Sequence, residues 1–331
     1  MKQSELLQSV SQLTGSQKER LERWIKDKVC LNERLNSTKP DVCPCCHQKT
    51  DMIKKGKLHK KQRYLCKQCG HKFVYDKGTV TAHMHISVDD FIEICLDTIC
   101  LIPIKKTAAR LNLDPNTVFN NRHKFLCLLE EILKKEDILL DGSVEIDETY
   151  ELESTKGKDP VIRKARHRGE PSKYRGISHE QVCIVTTTDR NGHEIFKAVG
   201  SAKPTTAIIT DIFSKHIAEK SLIMADGEKA YDKLAAETNS SIKHLISHKA
   251  YNKVHHLNTV NAIHKFIQET LTFYRGIATK YMNRYLAMFV IHRRFMDMDE
   301  NEMTELIIDM TKWFEYSVSL MSLKTDHLFR V

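Results

Sequence analysis

Two pairs of cysteines and two distant aspartates are the residues of this 331-residue chain best suited to chemistry. Cys43 and Cys46 form one C-x-x-C and Cys66 and Cys69 a second, with residues 47–65 between them. A C-x-x-C turn aims both thiolates at one ion, and two such turns complete a tetrahedron. The spacing therefore predicts a structural Zn2+ held by Cys43, Cys46, Cys66 and Cys69. So short a segment cannot bury enough apolar surface to fold unaided, and the metal would supply folding energy. Tyr64 and Phe73 are expected to pack beside the two turns, while Cys45 and His47 sit next to ligands but break the C-x-x-C geometry. The cysteines at 30, 95, 100, 127 and 183 read as small core hydrophobes.

Asp147 lies in VEIDETY, where strand alternation sends Val144 and Ile146 to one face and Glu145 and Asp147 to the other. Asp226 ends the apolar SLIMAD just before Gly227, a placement suited to an exposed metal ligand. Two such carboxylates can bridge two divalent ions about 4 Å apart, one activating an attacking oxygen and one stabilising the leaving oxygen of a phosphoryl transfer. Oxygen ligands select Mg2+ or Mn2+.

The elements that must position these groups follow from periodicity. Residues 1–40 read as a polar N-terminal helical segment, with Leu21, Trp24, Ile25 and Val29 on one face. The zinc ribbon occupies 41–80. A helix-turn-helix domain spans 85–138: Ser87 caps SVDDFIEICLDTIC, IKKTAARLNL follows, and Asp114-Pro115 opens NTVFNNRHKFLCLLEEILKK. Ala108, Ala109 and Leu111 are expected in its core, Leu113 in the turn, and Val118 and Phe119 on the packing side of the long helix. Asn116, Thr117, Asn120, Asn121, Arg122 and Lys124 would form a polar face for a major groove. A catalytic domain covers 139–300, with strands SVEIDETY, EQVCIVTTTD, HEIFKAVG, SLIMADGE and SIKHLIS; Arg190-Asn191-Gly192 marks a hairpin. Residues 258–297 read as mostly helical and 301–331 as a C-terminal helix.

The formal net charge is +9, which favours a polyanionic partner. Residues 41–80 hold ten Lys/Arg and three Asp, hence +7, in a pattern that contacts phosphates without reading sequence. The stretch 154–178 adds Lys156, Lys158, Arg163, Lys164, Arg166, Arg168, Lys173 and Arg175 as a basic loop. No segment has the apolar length of a signal peptide core or a membrane helix. These features predict a soluble, cytoplasmic, nucleoid-associated protein with no membrane partner.

The motifs CPCC…RYLCKQCGHKF, KKTAARLNLDPNTVFNNRHKFL, VEIDETY, MADGEKAY and HHLNTVNAIHKFIQETLTFYRGIATKYMNRYLAMFVIHRRF together resemble the insertion-sequence DDE-type transposases of the ISXO-like group with an N-terminal zinc ribbon. The resemblance covers roughly 40 to 300. It implies an α/β catalytic core, a ribonuclease-H-like mixed sheet flanked by helices, preceded by the small zinc ribbon and the helix-turn-helix. It also implies a DDE-type site whose first two positions are Asp147 and Asp226, and whose third falls on Asn261 in a motif like H-x-N-T-V-[NE]-x-x-H. An amide oxygen there leaves one negative charge fewer; Glu269, just over two helical turns on, is the alternative third ligand. His256, Asn258 and His264 belong to the same matched segment, and Glu148 and Glu228 read as outlying groups. Where many members carry lysine this chain has Gln268, with Lys265 a substitute DNA contact and Arg275 a phosphate contact.

The function implied is metal-dependent strand cleavage at transposon ends and transfer of the 3′-hydroxyl strand into target DNA. The implied partner is double-stranded DNA, transposon ends and target, bound by a homodimer or larger assembly. Two rivals stay open at this level: a catalytically inactive DNA-binding regulator derived from a transposase, and a metal-dependent nuclease of the same fold.

Overall fold

The computed structural model describes residues 14, 18, 40, 42–58, 61–74, 76–82, 84–156, 170–246, 252–275 and 277–313. The helix expected around 21–29 and the basic residues Arg163, Lys164, Arg166 and Arg168 lie outside the described residues. The chain divides into two compact units, Met1–Leu96 with Asp299–Ser317, and Asp97–Met298 with Val318–Val331.

In the first unit, β1 (Met52–Leu58), β2 (Lys61–Cys66) and β3 (Lys72–Val74) form an antiparallel sheet in the order β1-β2-β3. Its core is minimal: Cys43, Met52, Tyr64, Cys66 and Phe73. Tyr64 and Phe73 therefore pack where expected. Strand β1 buries only Met52 and exposes the rest, Lys54, Lys55 and Lys57 included. Helix α1 (Val88–Ile99) starts where Ser87 Oγ accepts the Asp90 N–H at 3.0 Å.

The second unit begins with α2 (Ile104–Leu111) and α3 (Pro115–Lys135). Asn112 takes the left-handed conformation at the end of α2 (φ 53°), and Asp114 Oδ1 caps α3 by accepting the Asn116 N–H at 2.8 Å. Ala108 is buried but Ala109 is exposed. The larger departure is on α3. Asn121, Arg122 and Lys124 are buried, Arg122 at 0% exposure. One Arg122 nitrogen donates to Ile102 O (2.7 Å) and to Thr107 Oγ1 (3.3 Å). These three residues therefore do not belong to a groove-facing surface. The expected polar face keeps only Asn116, Thr117 and Asn120, which are exposed or half-buried.

A five-stranded mixed sheet follows: β4 (Ser143–Leu152), β5 (Gln181–Thr188), β6 (Glu194–Ser201), β7 (Leu222–Ala225) and β8 (Ser241–His244). Helices α4 (Thr206–Phe213) and α5 (Ala230–Glu237) flank β7 in the chain, and α6 (Asn258–Phe273) and α7 (Met282–Phe295) come after β8. The order across the sheet is β6-β5-β4-β7-β8, with β4–β5 and β5–β6 antiparallel and β4–β7 and β7–β8 parallel. The β5–β6 hairpin turns at Arg190–Gly192, as its local signal predicts. Asp189 Oδ1 accepts the N–H groups of Asn191 and His193 there.

One sheet face supports a core of Val144, Ile146, Val185, Ile223, Ile209, Phe213, Tyr231 and Leu234, supplied by β4, β5, β7, α4 and α5. On its other side, Met224 packs with Leu245, Leu257 and Val260 at the start of α6. Helix α7 is buried along most of its length and packs on α3 and β6. Arg293 holds Glu194 in a bidentate pair at 2.8–2.9 Å. The last described helix, α8 (Glu300–Trp313), belongs to the first unit. No helix among the described residues is long and apolar enough to cross a membrane.

Candidate metal centre

Asp147 and Asp226 meet because β4 and β7 run parallel in a fixed register. Ser143, Val144 and Glu145 pair with Leu222, Ile223 and Met224. Two residues further, the same register sets Asp147 beside Asp226. Strand β7 ends at Ala225, so from Asp147 onward β4 has a ladder partner only on its β5 side. Side chains from either face can lean toward that open edge. Glu148 does so: one carboxylate oxygen each of Asp147, Glu148 and Asp226 lies within 4.8 Å of the others. Alternation alone sends Glu148 away from Asp147, so its membership carries no sequence signal.

Burial first, then the charges of Asp226 and Glu148, push Asp147 up to about 7. Glu148 is also raised, chiefly by burial, and its Oε1 is buried with no hydrogen-bond partner. Asp226 Oδ1 accepts the Glu228 N–H at 2.9 Å, which fixes the turn after β7. Three crowded carboxylates, one with an unsatisfied buried oxygen, fit a hard divalent cation: it relieves their repulsion and completes the Glu148 oxygen.

Helix α6 lies along β4 in matching repeats. Glu145 accepts the Thr259 and Val260 N–H groups at 3.0 Å each. His264 Nδ1 stands 3.9 Å from Asp147 Oδ2, and Gln268 Nε2 donates to Thr149 Oγ1 at 2.8 Å. Burial brings His264 down to about 4, so it is neutral beside Asp147. Asn261 lies on the exposed side of α6, about one turn before His264. Glu269 is not among the three gathered carboxylates; it pairs with Lys265 at 3.9 Å, both side chains largely exposed. Arg275 is exposed and adopts a left-handed backbone (φ 55°), and its carbonyl accepts Lys156 Nζ at 2.9 Å.

In the first unit, the four thiols of Cys43, Cys46, Cys66 and Cys69 also lie within 4.8 Å of one another. Two identical backbone turns place them. His47 N–H donates to Cys43 O and Gly70 N–H to Cys66 O, while Cys43 N–H and Cys66 N–H donate to Gln48 O and His71 O. The closing residue of each turn is left-handed, φ 71° at Gly70 and φ 54° at His47. Cys43–Cys69 and Cys46–Cys66 Sγ separations are 3.6 and 3.9 Å, against about 3.8 Å for thiolates on one tetrahedral Zn2+. Burial opposes ionisation of Cys43, but the Cys46 and Cys45 N–H groups bring it down to about 6. The His71 N–H favours a Cys69 thiolate, yet burial and the neighbouring thiols push Cys69 up to about 12. A bound cation would favour the thiolate form of these ligands.

Residues 139–293 match the ISXO2-like transposase domain. An uncharacterized protein in transposable element ISH50 of Halobacterium salinarum is 26% identical over 280 residues, 81% of this chain and 90% of that protein. Among solved structures, a pre-cleavage Mos1 transpososome aligns at 12% identity and TM-score 0.26, over 67% of this chain and 78% of that one. A simian T-cell lymphotropic virus intasome aligns at 10% identity and TM-score 0.27, over 60% and 68%. The chain is thus similar to an ISXO2-like transposase domain over residues 139–293 and to a protein of a transposable element over most of its length.

Proposed function

We propose that this protein is a DNA transposase that cleaves transposon ends and transfers the resulting strand into target DNA at the centre formed by Asp147, Glu148 and Asp226. The observation that carries the reading is the approach of these three carboxylates to within 4.8 Å of one another at the open edge of β4. The strand order, three antiparallel strands continued by two parallel ones, supports a ribonuclease-H-like core.

Asp147 and Asp226 would hold Mg2+ or Mn2+, with Glu148 as a further carboxylate and Asn261 contributing from α6. Bound there, the ions supply Lewis-acid activation of the attacking oxygen and stabilisation of the leaving oxygen. The chain's own residues fix the geometry. The sheet register aligns the aspartates, and neutral His264 adds no competing positive charge. In the first displacement a water oxygen attacks phosphorus at the transposon end, the P–O3′ bond breaks, and the leaving oxygen takes a proton to become the 3′-hydroxyl. In the second, that 3′-oxygen attacks a target phosphodiester, a new P–O3′ bond forms, and the target's own 3′-oxygen departs.

DNA would be held by the Zn2+-stabilised ribbon with exposed Lys54, Lys55 and Lys57. Asn116, Thr117 and Asn120 on α3, Lys265 on α6 and Arg275 just after it would add contacts. Joining two ends calls for a homodimer or larger assembly on DNA. The test is a labelled transposon-end duplex with Mg2+. Asp147→Asn and Asp226→Asn should abolish cleavage and joining while DNA affinity stays within about twofold of wild type, as expected for loss of ions rather than of phosphate contacts. Cleavage at wild-type rate in either variant ends the reading; cleavage without joining in the wild type reduces it to a nuclease.

A further inference from the structure

A helix leaves its first N–H groups without intrahelical partners, and a short polar residue at the N-cap normally accepts one of them. Helix α6 has Leu257 at that position, with no side-chain cap. Its cap comes from Glu145, on the strand that carries Asp147. The Glu145 carboxylate is 1% exposed and accepts from Thr259 N, Val260 N and Thr259 Oγ1, at 2.9–3.0 Å. Arg190, in the β5–β6 turn, pairs with Glu145 Oε1 at 2.5 Å and donates to Thr259 Oγ1 at 3.1 Å and Val254 O at 3.4 Å. His256 Nδ1 accepts the Asn258 N–H at 3.3 Å and lies 3.3 Å from the same carboxylate.

Consecutive same-face residues of a strand are about 6.7 Å apart, and helix residues four apart are about 6 Å apart. Glu145, Asp147 and Thr149 thus run in step with Val260, His264 and Gln268. With the repeats so nearly equal, fixing the helix at one end sets it at the next two contacts. The Glu145 end carries the most bonds, and the Asp147–His264 contact, at 3.9 Å, is too long to set the register itself.

We infer that Glu145, locked by Arg190, is a positioning residue: it fixes α6 along β4 and so sets which side chains of the helix face the Asp147–Asp226 centre. This rests on the proposed reading for its metal, but its structural half is measurable without one. The experiment compares wild type, Glu145→Ala, Glu145→Gln and Arg190→Ala, each below its Tm. It records Mn2+ affinity by electron paramagnetic resonance and the ring 15N resonances of His264 in metal-free protein. Glu145→Ala should weaken Mn2+ binding by about ten- to a hundredfold, the usual effect of losing a group that orients a metal ligand, and should displace the His264 resonances. Glu145→Gln, whose amide oxygen can still accept an N–H, should recover part of both. If Glu145→Ala does not fold, the Gln and Arg190 variants decide alone.

A lower Tm with wild-type Mn2+ affinity and unmoved His264 resonances would overturn the inference. A wild type that takes up no Mn2+ ends the metal reading instead, and the His264 resonances then decide the positioning role on their own.

Discussion

His264 places Nδ1 3.9 Å from Oδ2 of Asp147, and burial moves the two groups in opposite directions, His264 down to about 4 and Asp147 up to about 7. Each shift is a pH-dependent stability contribution. Between the ordinary carboxylate value of 3.8 and about 7 the folded state holds the Asp147 proton that the unfolded chain has released, so this contribution falls as pH rises. Between about 4 and 6.5 the unfolded chain binds the His264 proton and the folded state does not, so that contribution rises. The two oppose each other below pH 6.5.

Metal-free Asp147→Asn should therefore be increasingly more stable than wild type as pH climbs toward about 7, with a constant advantage above it. His264→Gln should gain most at low pH and lose that gain by about pH 6.5. Tm measured against pH for the three proteins in chelator checks both. An Asp147→Asn curve parallel to wild type from pH 4 to 8 contradicts the raised carboxyl.

Mn2+ uptake should displace the proton held by Asp147. Affinity should rise up to about tenfold per pH unit below about 7 and level off above it, since one bound proton competes with the metal. Calorimetric titrations at pH 6, 7 and 8 read the slope. Asp147→Asn should bind weakly and lose this part of the pH dependence.

What could be read from the sequence was mostly what is encoded locally. Two C-x-x-C turns carry their own geometry, and the same is true of the Arg190–Gly192 hairpin and the Asp114-Pro115 helix start. Asp147 was legible as a carboxylate within an alternating strand, and Asp226 as one at a strand end, within a familiar set of motifs. Glu148 was not, because its approach to the centre depends on where a strand distant in the chain stops. Arg122 and Lys124 look like surface residues by type; both are buried, Arg122 bonded to Ile102 and Thr107, and α3 packs along α7, a pairing with no local trace. Gln268 replaces a basic position of the resemblance, and its partner Thr149 lies on β4, far away in sequence.

The thiol cluster predicts one Zn2+ per chain by elemental analysis. Cys66→Ser should lower that content to near zero. It should also unfold the three-stranded sheet, since among the described residues its buried core is Cys43, Met52, Tyr64, Cys66 and Phe73, two of them ligands. Loss of the Tyr64 near-ultraviolet signal on chelation would report the same event. Full Zn2+ content in Cys66→Ser would remove this residue from the ligand set.

Arg122 separates a structural cation from a DNA contact. Its side chain is fully buried and spans from α3 to Ile102 O and Thr107 Oγ1. Arg122→Ala should cost about 3 kcal/mol of stability, from two lost charge-assisted bonds and the volume of the side chain. Its DNA affinity per folded molecule should match wild type. Arg122→Met, which refills the volume without a buried charge, should recover much of the loss, because two of the native guanidinium nitrogens have no partner. Denaturant unfolding alongside fluorescence-anisotropy binding to a duplex makes the comparison. A tenfold loss of DNA affinity in folded Arg122→Met, with stability near wild type, would instead mean that this arginine leaves the interior to meet phosphate.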